Sequence, residues 1–136
     1  MLGAKLVVRA DMPDDEKWSF PPHQDYPFNR GSLNSITIWI PFQDTPDNIG
    51  PLNVVPASHN DGERAENNSL LINPPTDNLY KSVPMKTGDL LVFSQFLIHK
   101  SGRNCSDKIR FSLQVRFNDL SQPEFIRRKF AVKKES

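Results

Sequence analysis

Two histidines and an aspartate are the side chains of this sequence best suited to hold a metal ion. His23 and Asp25 lie two residues apart in a segment that we predict to be extended, so both side chains project to the same face. His99 ends a strand-like run and supplies a second imidazole. Two imidazoles and one carboxylate form the ligand set of non-haem iron(II) oxygenases, which leaves the opposite face of the metal open. The alternative is that His23 and Asp25 are ordinary solvated residues, because this spacing is common by chance.

An arginine and a serine near the end of the chain are suited to bind a carboxylate. Arg110 follows His99 by eleven residues, and Ser112 lies on the same face of the predicted strand. A guanidinium group can hold a carboxylate through two parallel hydrogen bonds. An unpaired buried guanidinium is costly, so an inward Arg110 predicts a bound anion. An ordinary ion pair with a carboxylate elsewhere in the fold is the alternative.

Short strands are predicted to position these residues. Twelve prolines, six glycines and no long helical periodicity argue against a helix bundle and favour an all-β sandwich or barrel. The predicted strands are Lys5–Ala10, Trp18–Asp25, Ser35–Phe42, Leu52–Val55, Lys81–Pro84, Asp89–Phe93, Leu97–Lys100 and Ile109–Phe117. Eight short strands are typical of a jelly roll.

Two of the predicted strands alternate strictly between apolar and polar residues. Their apolar faces carry Ile36, Ile38 and Ile40 in one strand, and Phe111, Leu113 and Val115 in the other. Their opposite faces carry Ser35, Thr37 and Trp39, and Arg110, Ser112, Gln114 and Arg116. These opposite faces either line a cavity inside the jelly roll or face bulk water, and the pattern alone does not decide between the two.

Charge and hydropathy exclude several kinds of partner. Seventeen basic and sixteen acidic residues give a net charge of +1, so we expect no binding of nucleic acid or of anionic membranes. The N-terminus lacks the apolar core of a signal peptide, and no run is long enough to cross a bilayer. A cytoplasmic protein is therefore expected. We predict one domain over residues 1–126 and a basic tail over residues 127–136.

Several linked motifs resemble a known family. They occur in order as His23-Gln24-Asp25, Ile40–Asp44, Gly50–His59, Thr87-Gly88-Asp89, His99–Asn104 and Arg110-Phe111-Ser112. Together, from about Leu2 to Arg116, they are similar to the phytanoyl-CoA dioxygenase family of iron(II)- and 2-oxoglutarate-dependent oxygenases. The resemblance implies a cupin-like double-stranded β-helix with catalytic iron on His23, Asp25 and His99. It also implies that 2-oxoglutarate is bound by Arg110 and Ser112, with Ser101 and Trp39 lining the same pocket.

The same resemblance implies a reaction. Iron(II), 2-oxoglutarate and O2 would together hydroxylate a small organic substrate and release succinate and CO2. Asp25 is replaced by a small residue in relatives that halogenate, so its presence here favours hydroxylation. The residues expected to border the substrate pocket are Tyr26, Phe28, Arg30, Asn34 and Arg116.

The N-terminus departs from the family pattern. Family members carry a helical N-terminal region that packs on the outer face of the larger sheet, and Leu2-Gly3 already resembles the segment just before the first core strands. We therefore expect that region to be missing. The isoleucine face of Ser35–Phe42 would then be exposed to solvent unless another segment packs on it. A homo-oligomer, another partner or a missing segment would each provide it.

Two other kinds of protein are alternatives. One is a cupin-like metal protein that uses three histidines, His23, His59 and His99, and that leaves Arg110 without a role. The other is a non-catalytic β-sandwich fragment that binds a partner through the isoleucine face. His59 lies in a turn that recurs in the family, and we expect it near the mouth of the cavity.

Overall fold

A computed structural model describes residues 6–15, 17 and 19–127, and most of the regular structure in them is β. The strands are β1 (Val7–Asp11), β2 (Ile36–Pro41), β3 (Leu52–Val54), β4 (Glu66–Asn67), β5 (Leu70–Leu71), β6 (Lys81–Ser82), β7 (Leu91–Ser94), β8 (His99–Ser101) and β9 (Arg110–Phe117). Two short α-helices are α1 (Tyr26–Asn29) and α2 (Pro123–Arg127), and single 3-10 turns cover Asp47–Ile49, Ser58–Asp61 and Asp77–Leu79. The all-β prediction is confirmed. No helix in these described ranges has the length and apolar character needed to cross a membrane.

The strands form two main antiparallel sheets. The major sheet has the order β1-β9-β2-β7, and the minor sheet has the order β6-β3-β8. A separate two-stranded ladder joins β4 and β5. In the major sheet Asp11 pairs with Arg110 and Trp39 pairs with Gln114, so residues from β1, β2 and β9 meet on one face.

The polar faces of β2 and β9 point into the fold. Thr37 and Trp39 are each 1% exposed, and Arg110 and Ser112 are 1% and 0% exposed. Their apolar neighbours on the opposite face remain partly open, with Phe111 42% exposed. Of the two alternatives left by the alternation, the inward-facing one is therefore correct.

A small apolar core lies beside this inward polar face. Its buried members are Trp39, Leu52, Met85, Phe93 and Leu97. Trp39 and Phe93 come from the major sheet and Leu52 from the minor sheet. Each large side chain contributes roughly 1.5–3 kcal/mol when fully buried, so this cluster stabilises the contact between the two sheets.

A close backbone contact joins the start of β3 to the end of β8. Gly50 adopts φ +75°, and a Cβ at this position would lie 2.5 Å from the carbonyl oxygens of Gly102 and Arg103. A Cβ at Gly102 would lie 2.2 Å from the oxygen of Pro51. Only glycine permits this approach. The contact fixes the position of β8, the strand that carries His99.

The predicted strand Trp18–Asp25 is wrong within the described residues. Residues 19–25 contain a single bridge residue, His23, and α1 begins immediately after Asp25. Pro21 and Pro22 have no N–H groups to donate to a ladder, which explains the irregular backbone. The other predicted strands are present with shifted or shortened ends, while the ladder of β4 and β5 was not predicted. Helix α2 ends at Arg127, and the rest of the predicted basic tail lies outside the described residues.

Candidate metal centre

His23, Asp25 and His99 converge on one point. They are 6%, 1% and 2% exposed, and one potential ligand atom from each lies within 4.8 Å of the others. The Nε2 atom of His23 is 3.9 Å from Oδ1 of Asp25, and the two imidazole centroids are 4.1 Å apart. A first-row metal ion with bonds of roughly 2.0–2.2 Å fits among atoms at this separation after small adjustments.

Backbone pairing places the two imidazoles side by side. The N–H of His23 donates to the carbonyl of His99 at 3.0 Å, and the N–H of His99 donates to the carbonyl of His23 at 3.0 Å. Residues paired in this way project their side chains to the same side of the ladder. Asp25 lies two residues further on, at the start of α1, where its side chain makes no capping hydrogen bond. Its carboxylate therefore remains available to the site.

The ring nitrogens of both histidines have defined roles. Nδ1 of His23 lies 2.8 Å from the carbonyl oxygen of Pro21, and Nδ1 of His99 lies 3.0 Å from that of Leu97. A carbonyl oxygen only accepts, so each Nδ1 carries a proton and each Nε2 is left to face the metal position. Burial, together with the neighbouring His99, lowers the pKa of His23 to about 3. The His23 imidazole is therefore neutral at pH 7, as a metal ligand must be.

Both carboxylate oxygens of Asp25 have partners. Thr37 Oγ1 donates to Oδ2 at 2.5 Å, and Arg116 Nη2 donates to Oδ1 at 2.7 Å. Burial acts to raise the pKa of Asp25, but His99, Arg116 and Thr37 outweigh it and hold that pKa at about 2. The buried carboxylate is therefore ionised and fixed in orientation.

Gln24, between the two ligands of the motif, anchors the segment. It is fully buried, and its Nε2 donates to the carbonyls of Gly62 at 2.8 Å and Phe96 at 2.6 Å. Its Oε1 accepts from the backbone N–H of Arg64 at 2.9 Å. These bonds tie the irregular segment to two loops and compensate for its lack of regular strand pairing.

A cavity of about 230 Å³ opens beside the three ligands. It is lined by Val7, Arg9, Phe20, His23, Asp25, Phe28, Asn29, Leu52, His99, Ser101, Gln114 and Arg116. Phe20 and Phe28 stack edge to face at 5.5 Å and form an aromatic wall. Arg9, Gln114 and Arg116 form a polar wall. The cavity therefore suits a small molecule that has an apolar part and a polar part.

Arg110 is inward and has a carboxylate partner. Its Nη2 lies 2.7 Å from Oδ2 of Asp11, and the other oxygen of Asp11 accepts from Arg9 Nη2 at 2.7 Å. The ion pair considered from the sequence is therefore present, and burial of Arg110 alone does not require a bound anion. Within the described part of the chain, however, Arg110 Nε and Nη1 and Ser112 Oγ are buried without hydrogen-bond partners. Neither residue is among those that line the cavity, but unpaired buried donors of this kind fit a carboxylate ligand.

Ser101 and Trp39 occupy different surroundings. Ser101 lines the cavity, and its Oγ accepts from the backbone N–H of Phe20 at 3.0 Å. Trp39 lies in the apolar core rather than among the cavity-lining residues, and the Arg110 guanidinium lies 5.9 Å from its ring centroid. Trp39 thus makes a cation–π interaction with Arg110 from the core.

The expected substrate-pocket residues divide into two groups. Phe28 and Arg116 line the cavity. Tyr26 is instead buried against Phe96, Arg30 pairs with a glutamate at the surface, and Asn34 is exposed. His59 is exposed on a 3-10 turn and is not among the residues that line the cavity or converge on the metal position.

Several contributors to the site were missed from the sequence, among them Thr37, Asp11 and Arg9. Thr37 donates to the proposed metal ligand Asp25, Asp11 pairs with two arginines, and Arg9 lines the cavity. The alternation of β2 already placed Thr37 on the face that carries Trp39, and this was the available signal for its role. Asp11 and Arg9 carried no comparable signal, because their partners depend on the pairing of β1 with β9.

Comparison with known proteins identifies the family and the fold. The chain is 32% identical over 122 residues to phytanoyl-CoA dioxygenase 1 of Oryza sativa subsp. japonica, covering 83% of this chain and 43% of the relative. It is 32% identical over 120 residues to a methylphosphonate hydroxylase of Gimesia maris, covering 86% and 46%. The fold matches the epimerase SnoN, solved with Fe3+, alpha ketoglutarate and nogalamycin RO, with TM-score 0.71, 21% identity and coverage of 97% and 56%.

These matches confirm the double-stranded β-helix, and they also show that the chain spans less than half the length of the curated relatives. The family model described as phytanoyl-CoA dioxygenase (PhyH) matches residues 5–112. Since that match covers more than half of the chain, the protein belongs to the phytanoyl-CoA dioxygenase family, which uses iron(II), 2-oxoglutarate and O2.

Proposed function

We propose that this chain forms the catalytic core of an iron(II)- and 2-oxoglutarate-dependent dioxygenase that hydroxylates a small organic substrate and releases succinate and CO2. The observation that carries the proposal is the convergence of His23, Asp25 and His99 beside a cavity of about 230 Å³. The unpaired donors of Arg110 and Ser112 add a place for the co-substrate carboxylate. Family membership supports the class of reaction.

Each residue has a definite task in this proposal. Nε2 of His23, Nε2 of His99 and one oxygen of Asp25 bind iron(II), while the bonded Nδ1 atoms keep both rings in place. When bound, iron(II) supplies O2 activation coupled to the oxidation of 2-oxoglutarate. Arg110 and Ser112 bind the distal carboxylate of 2-oxoglutarate, with Ser101 along the cavity and Trp39 packed behind the guanidinium.

Two observations support hydroxylation, the first of them specifically against halogenation. Asp25 retains the carboxylate ligand, and both of its oxygens are held by neighbouring side chains. One relative with 32% identity is a methylphosphonate hydroxylase.

Anaerobic loading followed by exposure to O2 tests the proposal. The 136-residue chain is mixed with Fe(II) and 2-oxoglutarate, and the visible charge-transfer absorption of the iron(II) chelate is recorded before succinate is quantified. We expect the absorption band and slow formation of succinate even without a primary substrate. His99→Ala should remove both signals, and His59→Ala should preserve both. Chelate absorption and succinate that persist in His99→Ala would contradict the assignment of the ligands.

We further propose that additional polypeptide, from a second copy of the chain or from a longer protein, covers the outer face of the major sheet. The face is defined by Val8, Ile36, Ile38, Ile40, Val92, Phe111, Leu113 and Val115. Val8 is 65% exposed and Val92 is 53% exposed. A second copy of the chain or a segment of a longer protein would bury this row, and contiguous apolar surface of this kind is typical of an interface.

A further inference from the structure

We infer that Gln95 is a positioning residue for the metal centre and that it acts on Arg116 through one water molecule bound between the two side chains. Gln95 is not among the residues that line the larger cavity or converge on the metal position, so its effect on the site has to pass through another side chain. Its role in metal binding rests on the proposed function, whereas the water site follows from the fold alone.

Gln95 has one polar group that finds no partner in the protein. It follows β7 directly and is 2% exposed. Its Nε2 donates to the carbonyl of Ser32, which fixes the orientation of the amide because a carbonyl oxygen only accepts. The amide oxygen Oε1 is buried and has no hydrogen-bond partner among the described residues. A buried acceptor of this kind is costly unless a donor reaches it.

Arg116 has the complementary group. Its Nη2 donates to Asp25 Oδ1 at 2.7 Å and to Gln114 Oε1 at 2.9 Å. Its Nε is buried and has no partner in the described part of the chain. The guanidinium nitrogen only donates and the Gln95 oxygen only accepts, so the two unmatched groups suit each other.

The order of the major sheet brings these two side chains toward each other. Strand β2 lies between β9, which carries Arg116, and β7, which Gln95 follows. Arg116 pairs with Thr37 of β2, and the N–H of Gln95 donates to the carbonyl of Ser35 at 3.2 Å. Ser35 and Thr37 are small inward residues, 4% and 1% exposed, so the two longer side chains can approach each other above them.

A small cavity lined by both side chains has the volume of one water molecule. It measures about 10 Å³, and Ser35, Thr37 and Asn118 also line it. A buried water needs a polar cavity of roughly 10–15 Å³, and such waters commonly join buried groups that lack other partners. A water here accepts from Arg116 Nε and donates to Gln95 Oε1, and it thereby satisfies both groups.

This water holds Arg116 in the orientation that Asp25 requires. The guanidinium is rigid and planar, so a bond at Nε also fixes Nη2, which donates to Asp25 Oδ1. Arg116 lines both the small cavity and the larger cavity beside the metal ligands. A chain of hydrogen bonds therefore runs from Gln95 through the water and Arg116 to the carboxylate ligand.

Nuclear magnetic resonance of the 136-residue chain, isotopically labelled in its arginines, tests the water site. The Hε resonance of Arg116 is assigned by its absence from Arg116→Met. We expect this proton to show cross-peaks to water with opposite signs in NOESY and ROESY spectra, because dipolar contact with a bound water reverses the sign and proton exchange does not. The exposed Arg64 is the internal reference, and its Hε should show exchange alone. Absence of the dipolar cross-peak at Arg116, or its persistence in Gln95→Met, would overturn the inference.

A double-mutant cycle tests the positioning role. Mn(II) affinity is measured by electron paramagnetic resonance for the wild type, Gln95→Met, Arg116→Met and the double variant. Arg116→Met should cost about tenfold, as loss of a residue behind a ligand does. Gln95 lies one step further from the ion, so Gln95→Met should cost about threefold in the wild-type background and nothing in the Arg116→Met background.

An equal loss in both backgrounds would show that Gln95 affects stability alone and would overturn its positioning role, as would no loss in either. Failure of the proposed function gives a different result. A chain that binds no Mn(II) would overturn that function and the role of Gln95, while the water cross-peak at Arg116 would still decide the water site.

Discussion

His23 and His99 exchange two backbone hydrogen bonds of 3.0 Å each, although they lie far apart in the sequence. This bridge joins the irregular segment before α1 to strand β8 and sets the two imidazoles side by side. A slip of one residue in this pairing would turn one imidazole to the opposite face. The candidate metal centre therefore depends on the register of the backbone as much as on the identity of its ligands.

The first prediction concerns the metal ligands. His99→Ala removes a buried imidazole, and His59→Ala removes an exposed one. Loss of a residue behind a ligand already costs roughly 10–100-fold in metal affinity, so loss of the ligand itself should cost at least the upper value. Titration of Mn(II) by electron paramagnetic resonance measures the change. Equal losses in the two variants would show that the ion binds elsewhere.

The second prediction concerns Thr37, which holds Asp25 in place. Thr37→Val keeps the side-chain shape but removes the hydroxyl that donates to Asp25 Oδ2. We expect Mn(II) affinity to fall by about tenfold, because the carboxylate loses an orienting partner. Thr45→Val is the matched control, since Thr45 is equally buried and its hydroxyl donates to the Met85 carbonyl instead. A similar loss of affinity in both variants would indicate a general effect on stability.

The third prediction concerns the co-substrate. Arg110→Ala should raise the 2-oxoglutarate concentration needed for half-saturation roughly a hundredfold, since it removes a charge-assisted contact of about 2–3 kcal/mol. Asp11 keeps Arg9 as a partner in this variant, so no carboxylate is left unpaired. Mn(II) affinity should stay unchanged, and the exposed Arg103→Ala gives the reference. An unchanged 2-oxoglutarate requirement would reject the role of Arg110.

Much of the architecture was readable from local patterns, and the rest depended on long-range pairing. The alternation in β2 and β9 predicted which side chains share a face, because side chains alternate between the two faces of a strand. Residues 19–25 were misread, since the ligand spacing suited a strand while Pro21 and Pro22 prevented one. Asp11 was missed as a partner of Arg110 because only the pairing of β1 with β9 brings them together.

The fourth prediction tests the backbone contact that supports β8. Gly50 and Gly88 both have positive φ angles, +75° and +98°, but of the two only Gly50 is packed against another backbone. Gly88→Ala should cost about 1–2 kcal/mol of unfolding free energy from the strain of a positive φ alone. Gly50→Ala should cost about 1–3 kcal/mol more, because its Cβ would overlap the carbonyls of Gly102 and Arg103. Urea denaturation measures both values, and equal losses would show that the contact relaxes without cost.

The last prediction concerns the outer face of the major sheet. Val8 and Val92 leave large apolar surfaces on this face, and a fully buried valine contributes roughly 1.5–3 kcal/mol. We therefore expect the isolated 136-residue chain to self-associate with rising concentration, as measured by sedimentation velocity. Val92→Lys should shift the chain toward monomer because a contact would bury its ammonium group. Leu79→Lys is the control, since Leu79 is 49% exposed on the turn Asp77–Leu79, away from this sheet. A wild-type chain that stays monomeric at every concentration, or an equal effect of both lysines, would show that this face does not mediate self-association.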